Sequence, residues 1–233
     1  MALLQGVDGC GGGWLVVSAD WGPGGWDRFR WQLEPQLSPW LASELGAITA
    51  IDMPIGLAAA AARPCDLLAR QRLGARRSSV FPAPVRAALQ ASDYPTACAI
   101  SHAACGKKIS KQSFNLLPKI RQLDQLLQAD SSLQMRVHEV HPELAFSCWN
   151  GGVPMVEAKK TVAGASQRRS LVEAEFPGLA LNIRAQWPSR LLANDDILDA
   201  LACLWSARRL HQGMALRLGG ELDATGLSMA ISA

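Results

Sequence analysis

Hydrophobic residues at the start of the chain recur in short extended runs. Leu3–Asp8 and Trp14–Ala19 are apolar, and Trp26–Leu33 alternates apolar with polar residues, which is the period of a half-buried strand. A glycine-rich segment at 9–13 joins the first two runs. No Gly-Lys-Ser/Thr follows it, so a hairpin turn is favoured over a phosphate-binding loop. The pattern predicts a three-stranded antiparallel meander.

The next part of the chain changes from strand to helix. A short helical pattern at Leu37–Leu45 precedes a buried strand at Ala47–Asp52, which ends at a proline and a glycine. From 58 to 130 the pattern is helical, with segments at Cys65–Leu73 and Lys119–Leu127 separated by prolines, one of them Pro118. This stretch predicts a helical insertion after the fourth strand.

The remaining pattern completes an alternation of strands and helices. It predicts a strand at Gln134–Val140, a helix near Ser166–Glu175 and a strong final helix at Asp195–His211. Alternation after an initial meander indicates one α/β domain over 1–233 with a mixed sheet. In such sheets the chemistry lies where strand ends and helix starts converge.

Composition narrows the class of protein. Hydrophobic residues make up 49% of the 233 residues and charged residues 18%, which is typical of a globular chain. The net charge of +3 permits a nucleic acid or phosphate-containing partner but does not demand one. The six cysteines are scattered without paired spacing, which predicts reduced thiols. The chain shows no signal-peptide pattern and no apolar run of membrane length. These features predict a cytoplasmic protein with no membrane partner.

Aspartates stand at the ends of two predicted strands and at the start of the final helix. Asp196 and Asp199 are spaced i, i+3 on one helix face, while Asp8 and Asp52 each end an apolar run. Acids at a helix N-terminus also favour the helix dipole, so the pair alone is ambiguous. Together the four predict oxygen ligands for Mg²⁺ or Mn²⁺, and Asp195 is interpreted as a capping acid that points elsewhere.

The strand predicted at Gln134–Val140 leads into a second polar group. Glu139 is a fifth candidate ligand, and it shares one strand face with His141. His141 is interpreted as a general acid/base or a phosphate contact, with a purely structural histidine equally open. Glu143 is interpreted as a helix cap. The spacing of the two histidines in this segment does not fit a zinc-protease motif.

Ordered motifs along nearly the whole chain resemble those of a widespread bacterial family described as predicted nucleases with a ribonuclease-H-like fold, distantly similar to Holliday-junction resolvases. They are Gly6-Val7-Asp8-Gly9-Cys10, Ile51-Asp52-Met53-Pro54-Ile55-Gly56-Leu57, Arg63-Pro64-Cys65-Asp66, Ser79-Val80-Phe81-Pro82-Ala83-Pro84, Ser110-Lys111-Gln112, Glu139-Val140-His141-Pro142-Glu143, Lys159-Lys160 and Asp195-Asp196-Ile197-Leu198-Asp199-Ala200.

The resemblance implies a five-stranded mixed sheet flanked by helices, and an acidic metal site at Asp8, Asp52, Asp196 and Asp199. It also suggests substrate-binding residues outside that site, for each of which an ion pair or a solvated surface is the alternative. These are Arg63, Arg70, Lys111, Gln112, Lys159 and Lys160.

Two classes of function therefore stay open. The first is a divalent-metal-dependent nuclease or phosphoesterase that hydrolyses phosphodiester bonds. The second is a non-catalytic nucleic-acid-binding or regulatory protein on the same fold, because a fold does not determine a function. Phosphotransfer by an actin-like protein is disfavoured, since the chain lacks a second domain to close over ATP. The sequence leaves the substrate and the oligomeric state open, with a homodimer among the alternatives.

Overall fold

Three antiparallel strands open the chain. A computed structural model describes residues 1–37, 41 and 47–233, and it begins with β1 (Ala2–Cys10), β2 (Gly13–Gly22) and β3 (Gly25–Glu34). β1 pairs with β2 and β2 with β3, both antiparallel. The tight turn between β1 and β2 ends at Gly13, whose φ of 122° suits glycine. The predicted meander is confirmed.

Two parallel strands complete the sheet. β4 (Ile48–Asp52) pairs parallel with β1, and β5 (Val137–Glu139) pairs parallel with β4. Within the described residues the sheet has five strands in the order β3-β2-β1-β4-β5. The predicted α/β fold with a mixed five-stranded sheet flanked by helices is confirmed, and it is consistent with a ribonuclease-H-like fold. The helix predicted at 37–45 falls almost entirely outside the described residues.

The segment between β4 and β5 is helical, as predicted. It holds α1 (Pro64–Leu73), α2 (Tyr94–Cys105), α3 (Lys111–Ala129) and α4 (Ser131–Arg136), with short 3₁₀ turns at Gly74–Ser79 and Arg86–Gln90. Two details of the prediction are wrong. α3 runs through Pro118 instead of breaking there, and residues 134–136 are helical because Asp130 caps α4 by accepting from the Ser132 amide at 2.9 Å.

Helices and a hairpin follow β5. They are α5 (Pro142–Trp149), α6 (Val162–Glu175), α7 (Leu179–Arg184), α8 (Asn194–His211) and the antiparallel pair β6 (Arg217–Leu222) and β7 (Ser228–Ser232). The final helix begins one residue before its predicted start. The hairpin is absent from the prediction. None of the helices in the described ranges is long and apolar enough to cross a membrane.

Alternate residues of the strands face two hydrophobic cores. Leu15 and Val17 of β2 pack into the core that contains α8, whereas Trp14 and Val16 pack into the core that contains α2 and α3. α8 lies against β1 at Gly6, where an added Cβ would stand only 2.2 Å from a backbone oxygen of the helix. This close approach brings the start of α8 to the end of β1.

Candidate functional site

Two aspartates lie side by side at the carboxyl ends of neighbouring parallel strands. Asp8 near the end of β1 is the register partner of Asp52 at the end of β4. Paired strands are about 4.8 Å apart, and residues in register point to the same face, here the face covered by α8. Asp8 is 6% exposed, and its Oδ1 accepts the amide hydrogen of Gly9 at 2.8 Å. The Asp52 carboxylate accepts no hydrogen bond from a described residue.

The first turns of α8 supply further carboxylates. Asp199 is 5% exposed and lies close enough to raise the pKa of both Asp8 and Asp52. Asp196 also faces this group, but its Oδ2 accepts the Ala193 amide hydrogen at 2.9 Å and so caps the helix. The capping role predicted for Asp195 therefore belongs to Asp196. The side chains Asp8 and Asp199, which are buried, and Asp52, which is partly exposed, are called the acid cluster below.

Burial and mutual repulsion keep protons on the acid cluster. Burial raises the pKa of Asp8, and the charges of Asp52 and Asp199 raise it further. The same causes, with burial first and Asp199 next, raise the pKa of Asp52 to about 8. Burial likewise raises the pKa of Asp199. Three full negative charges are therefore not carried at neutral pH without a cation.

Lys159 supplies one positive charge to the acid cluster. Its Nζ lies 2.6 Å from Asp199 Oδ2 and 3.5 Å from Asp195 Oδ2. Burial alone lowers the pKa of Lys159, but Asp199, Asp52 and Asp8 together raise it well above its ordinary value. Lys159 is thus a permanent ammonium among carboxylates, on a side chain that stays 39% exposed.

The acid cluster is not a closed metal cage. In ranges 1–37, 41 and 47–233, no group of three or more carboxylate, imidazole or thiol side chains is arranged to hold a metal ion. Mg²⁺, however, keeps several of its waters and is commonly bound by one or two carboxylates together with substrate phosphates. The carboxylate oxygens of Asp8 and Asp52 are hard donors that lie side by side, and the negative charge around them is only partly compensated by Lys159. They fit that mode of binding.

Glu139, the fifth predicted ligand, is engaged elsewhere. Its register partner Ile51 faces the core opposite α8, so Glu139 lies on the other face of the sheet from Asp52. Both of its oxygens pair with the Arg63 guanidinium at 2.7 Å, and Oε2 also accepts the Ile55 amide hydrogen at 2.7 Å. These bonds leave Glu139 holding the loop after β4 instead of facing the acid cluster.

Arg63, predicted to bind substrate, is a buried structural residue. It is 2% exposed and completes its hydrogen bonds with Asp66 at 2.6 Å and with backbone carbonyls of the same loop. A side chain so enclosed cannot reach a substrate phosphate. The ion-pair alternative therefore describes Arg63 correctly.

The other basic candidates are dispersed. Arg70 donates to the Val80 carbonyl at 2.6 Å, and the Lys111 ammonium lies 4.5 Å from the ring centroid of Tyr94. Gln112 and Lys160 are exposed. Of the six substrate-binding candidates, Lys159 is the one that the structure places within hydrogen-bonding distance of the acid cluster.

His141 is enclosed between the insertion and α5. Its Nε2 lies 3.3 Å from the Ser79 carbonyl oxygen, a contact in which Nε2–H donates, and its buried Nδ1 has no partner among the described residues. Burial lowers the pKa of the imidazole, and the nearby Lys159 ammonium lowers it further. His141 is therefore neutral at pH 7, with one nitrogen free to accept a proton.

Glu143 is not the predicted helix cap. It stands in the first turn of α5 and pairs with the buried Arg168 at 2.6 and 2.7 Å and with Arg76 at 3.1 Å. These pairs tie α5 to α6 and to the helical insertion. The role of Glu143 is therefore structural.

Lys119 interacts electrostatically with Asp8, and the sequence did not single it out. Its Nζ donates to the Gly13 carbonyl at 2.7 Å, and its side chain lies against Gly9, directly after Asp8. Burial lowers the pKa of Lys119, while Cys10, Asp8 and Asp196 act to raise it. Only the docking of α3 on the β1–β2 turn reveals this residue, because its position within α3 is not special.

These features define a class of protein: an α/β protein with a mixed five-stranded sheet and an acid cluster where β1, β4 and α8 meet. The chain belongs to the family described as protein of unknown function (DUF429), whose model matches residues 6–224. No curated protein and no solved structure matches the chain.

Proposed function

We propose that the protein is a divalent-metal-dependent nuclease or phosphoesterase of the ribonuclease-H-like class, acting on phosphodiester bonds. The observation that carries the proposal is the acid cluster, with Asp8 and Asp52 in register on parallel strands and Asp199 above them. Buried carboxylates that raise one another's pKa destabilise a fold when no bound cation compensates their charges. Such clusters are therefore candidate functional sites.

Asp8 and Asp52 would hold Mg²⁺ or Mn²⁺, with Asp199 next to them. When bound, such an ion activates a water and offsets the charge that develops on a phosphodiester. Asp196 keeps its helix cap and contributes charge from the edge of the site. Glu139 is not included, because its carboxylate is held by Arg63.

Lysines on two sides would position the substrate. Lys159 reaches the acid cluster from the loop before α6, and Lys119 lies beside the β1–β2 turn. Ammonium groups bind phosphate oxygens without regard to base sequence, so they orient a backbone instead of reading it. The free Nδ1 of His141 could take up a proton in the same region.

The test is cleavage of a panel of DNA, RNA, junction and nucleotide substrates with Mn²⁺ present. Wild type is compared with Asp8→Asn and, as a matched control, with Asp27→Asn, an exposed aspartate on β3. We expect wild type and the control to cleave at least one substrate and Asp8→Asn to lose activity at least about a hundredfold. Equal activity in Asp8→Asn would exclude a catalytic acid cluster.

Two observations favour the alternative of a non-catalytic nucleic-acid-binding protein. Lys159 already neutralises part of the acid cluster, and the described residues form no three-ligand cage. On that alternative, no panel member is cleaved with Mn²⁺, yet nucleic acid binds with an affinity that falls as salt rises and that Asp8→Asn leaves unchanged.

A further inference from the structure

A cavity of about 160 Å³ lies between β5 and the β6–β7 hairpin, away from the acid cluster. A parallel bridge between Val140 and Ser232 joins the hairpin to the edge of the main sheet beside it. Because one water occupies about 30 Å³ in the liquid, the cavity has room for several waters or one small molecule. It is therefore a candidate binding site that the proposed function does not use.

Polar side chains from four elements line this cavity: Gln134 of α4, His138 of β5, Arg217 of β6 and Ser228 of β7. Arg217 Nη2 donates to Ser228 Oγ at 3.0 Å, and Gln134 Nε2 donates to the Leu127 carbonyl at 2.7 Å. These contacts hold the Gln134 and Arg217 side chains in place around one concave surface.

Arg217 brings a positive charge to the exposed edge of the cavity. Arg217 forms no ion pair with any carboxylate in the described ranges. Burial lowers the pKa of the His138 imidazole, and the Arg217 charge lowers it further. Glu139 also borders the cavity, but both of its oxygens are bound by the guanidinium of Arg63.

The outer wall of the cavity is fixed before any ligand arrives. Asp223, in the hairpin turn, accepts the Leu57 amide hydrogen at 2.8 Å and also pairs with Arg86. Gly56 packs directly against the hairpin, since an added Cβ there would stand 2.9 Å from the Leu227 carbonyl oxygen. A preformed wall lowers the entropy that binding must overcome.

We propose that this cavity binds a phosphoryl oxyanion, either inorganic phosphate or the phosphate group of a small ester. Arg217 supplies the charge and a guanidinium fork, and His138 supplies an imidazole N–H from β5. Ser228 Oγ accepts from Arg217 and donates to the Gly220 carbonyl at 3.4 Å, which holds the guanidinium in place. Donors arriving from two strands suit a tetrahedral anion better than a planar carboxylate, which a single guanidinium satisfies in its own plane. The proposal is independent of the acid cluster and of its chemistry.

The test is calorimetric titration of the full chain, in EDTA, with inorganic phosphate, glycerol phosphate and succinate. Arg217→Gln and His138→Asn are the variants, and Arg169→Gln, at an exposed arginine of α6, is the matched control. Urea unfolding of each variant establishes that it is folded. Because EDTA removes divalent ions, a failure here leaves the nuclease proposal unaffected.

We expect wild type and Arg169→Gln to bind phosphate or glycerol phosphate, and Arg217→Gln to bind about tenfold or more weakly, since a charge-assisted hydrogen bond is lost. Binding of the ester alone would support the proposal with the phosphoryl group at the end of a larger ligand. Succinate binding in preference to both, no binding by wild type, or affinities unchanged in both Arg217→Gln and His138→Asn would each overturn it.

Discussion

Replacing Asp52 by asparagine should stabilise the metal-free protein at alkaline pH. Burial and the neighbouring acids raise the pKa of Asp52 from 3.8 to about 8, so the folded chain holds a proton there that the unfolded chain releases near pH 4. Between these values the folded state binds more protons than the unfolded state. Its stability therefore falls as the pH rises through that window. Asparagine keeps the shape and removes the charge.

The magnitude follows from the pKa of Asp52. One pKa unit corresponds to about 1.4 kcal/mol, so between pH 5 and pH 8 the upper limit of the effect is about 4 kcal/mol. Asp52 is partly exposed, so solvent screens its charge, and it titrates together with Asp8 and Asp199. Both facts reduce the effect. We expect Asp52→Asn to gain about 2 kcal/mol relative to wild type on going from pH 5 to pH 8.

Urea unfolding followed by tryptophan fluorescence, in EDTA at several values between pH 5 and pH 8, measures this difference. The two histidines with lowered pKa, His138 and His141, contribute equally to both proteins and cancel in the comparison. Glu221→Gln, at an exposed glutamate of β6, is the control and should follow wild type. A difference that does not change with pH, or that favours wild type at pH 8, would refute the reasoning.

Three further predictions concern packing and charge. Gly6→Ala should destabilise the protein by about 3 kcal/mol in urea unfolding, because the added Cβ would collide with the α8 backbone. The control Gly24→Ala should change the stability little, because nothing lies within 4 Å of a Cβ added there. Equal effects of the two substitutions would contradict the packing of α8 on β1. Arg63→Met should lower the free energy of unfolding by about 3–5 kcal/mol, because it leaves two buried carboxylates unpaired. The control Arg169→Met, at an exposed arginine, should lower it by at most about 0.5 kcal/mol. A near-neutral Arg63→Met would mean that the ion pair is not needed for stability. Lys159→Met should lower the free energy of unfolding by about 1–3 kcal/mol at pH 8, and by less at pH 5, where the acid cluster is more protonated. A larger loss of stability at pH 5 than at pH 8 would contradict the role of Lys159 as a counter-charge.

The sequence predicted the strand positions of the candidate acids, but not which face of the sheet each of them occupies. Asp8 and Asp52 end apolar runs that are strands in the structure, but their register as partners on neighbouring parallel strands is known only from the structure. Glu139 also ends a strand, but β5 is short and its register with β4 turns Glu139 to the opposite face. A shift of one residue in register changes the face of every side chain, and local pattern does not specify it.

The roles of charged residues depended on long-range contacts. Arg63 is enclosed with Glu139, whereas Lys159 reaches Asp199, forty positions along the chain. Lys119 joins the site because α3 docks on the β1–β2 turn. Such contacts arise from the packing of whole elements, which leaves no local signal.

The sequence by itself determined the α/β class, the antiparallel start of the sheet, the helical insertion and the final helix, because hydrophobic periodicity and glycine or proline positions act over a few residues. Tertiary structure alone decided which carboxylates form the acid cluster, which cation compensates them, and where the β6–β7 hairpin encloses a polar cavity. Those outcomes depend on register and on element packing between distant segments. Burying a charge is unfavourable unless the charge is paired. Tertiary contacts therefore distinguish the structural ion pairs from charged groups that lack a full set of partners.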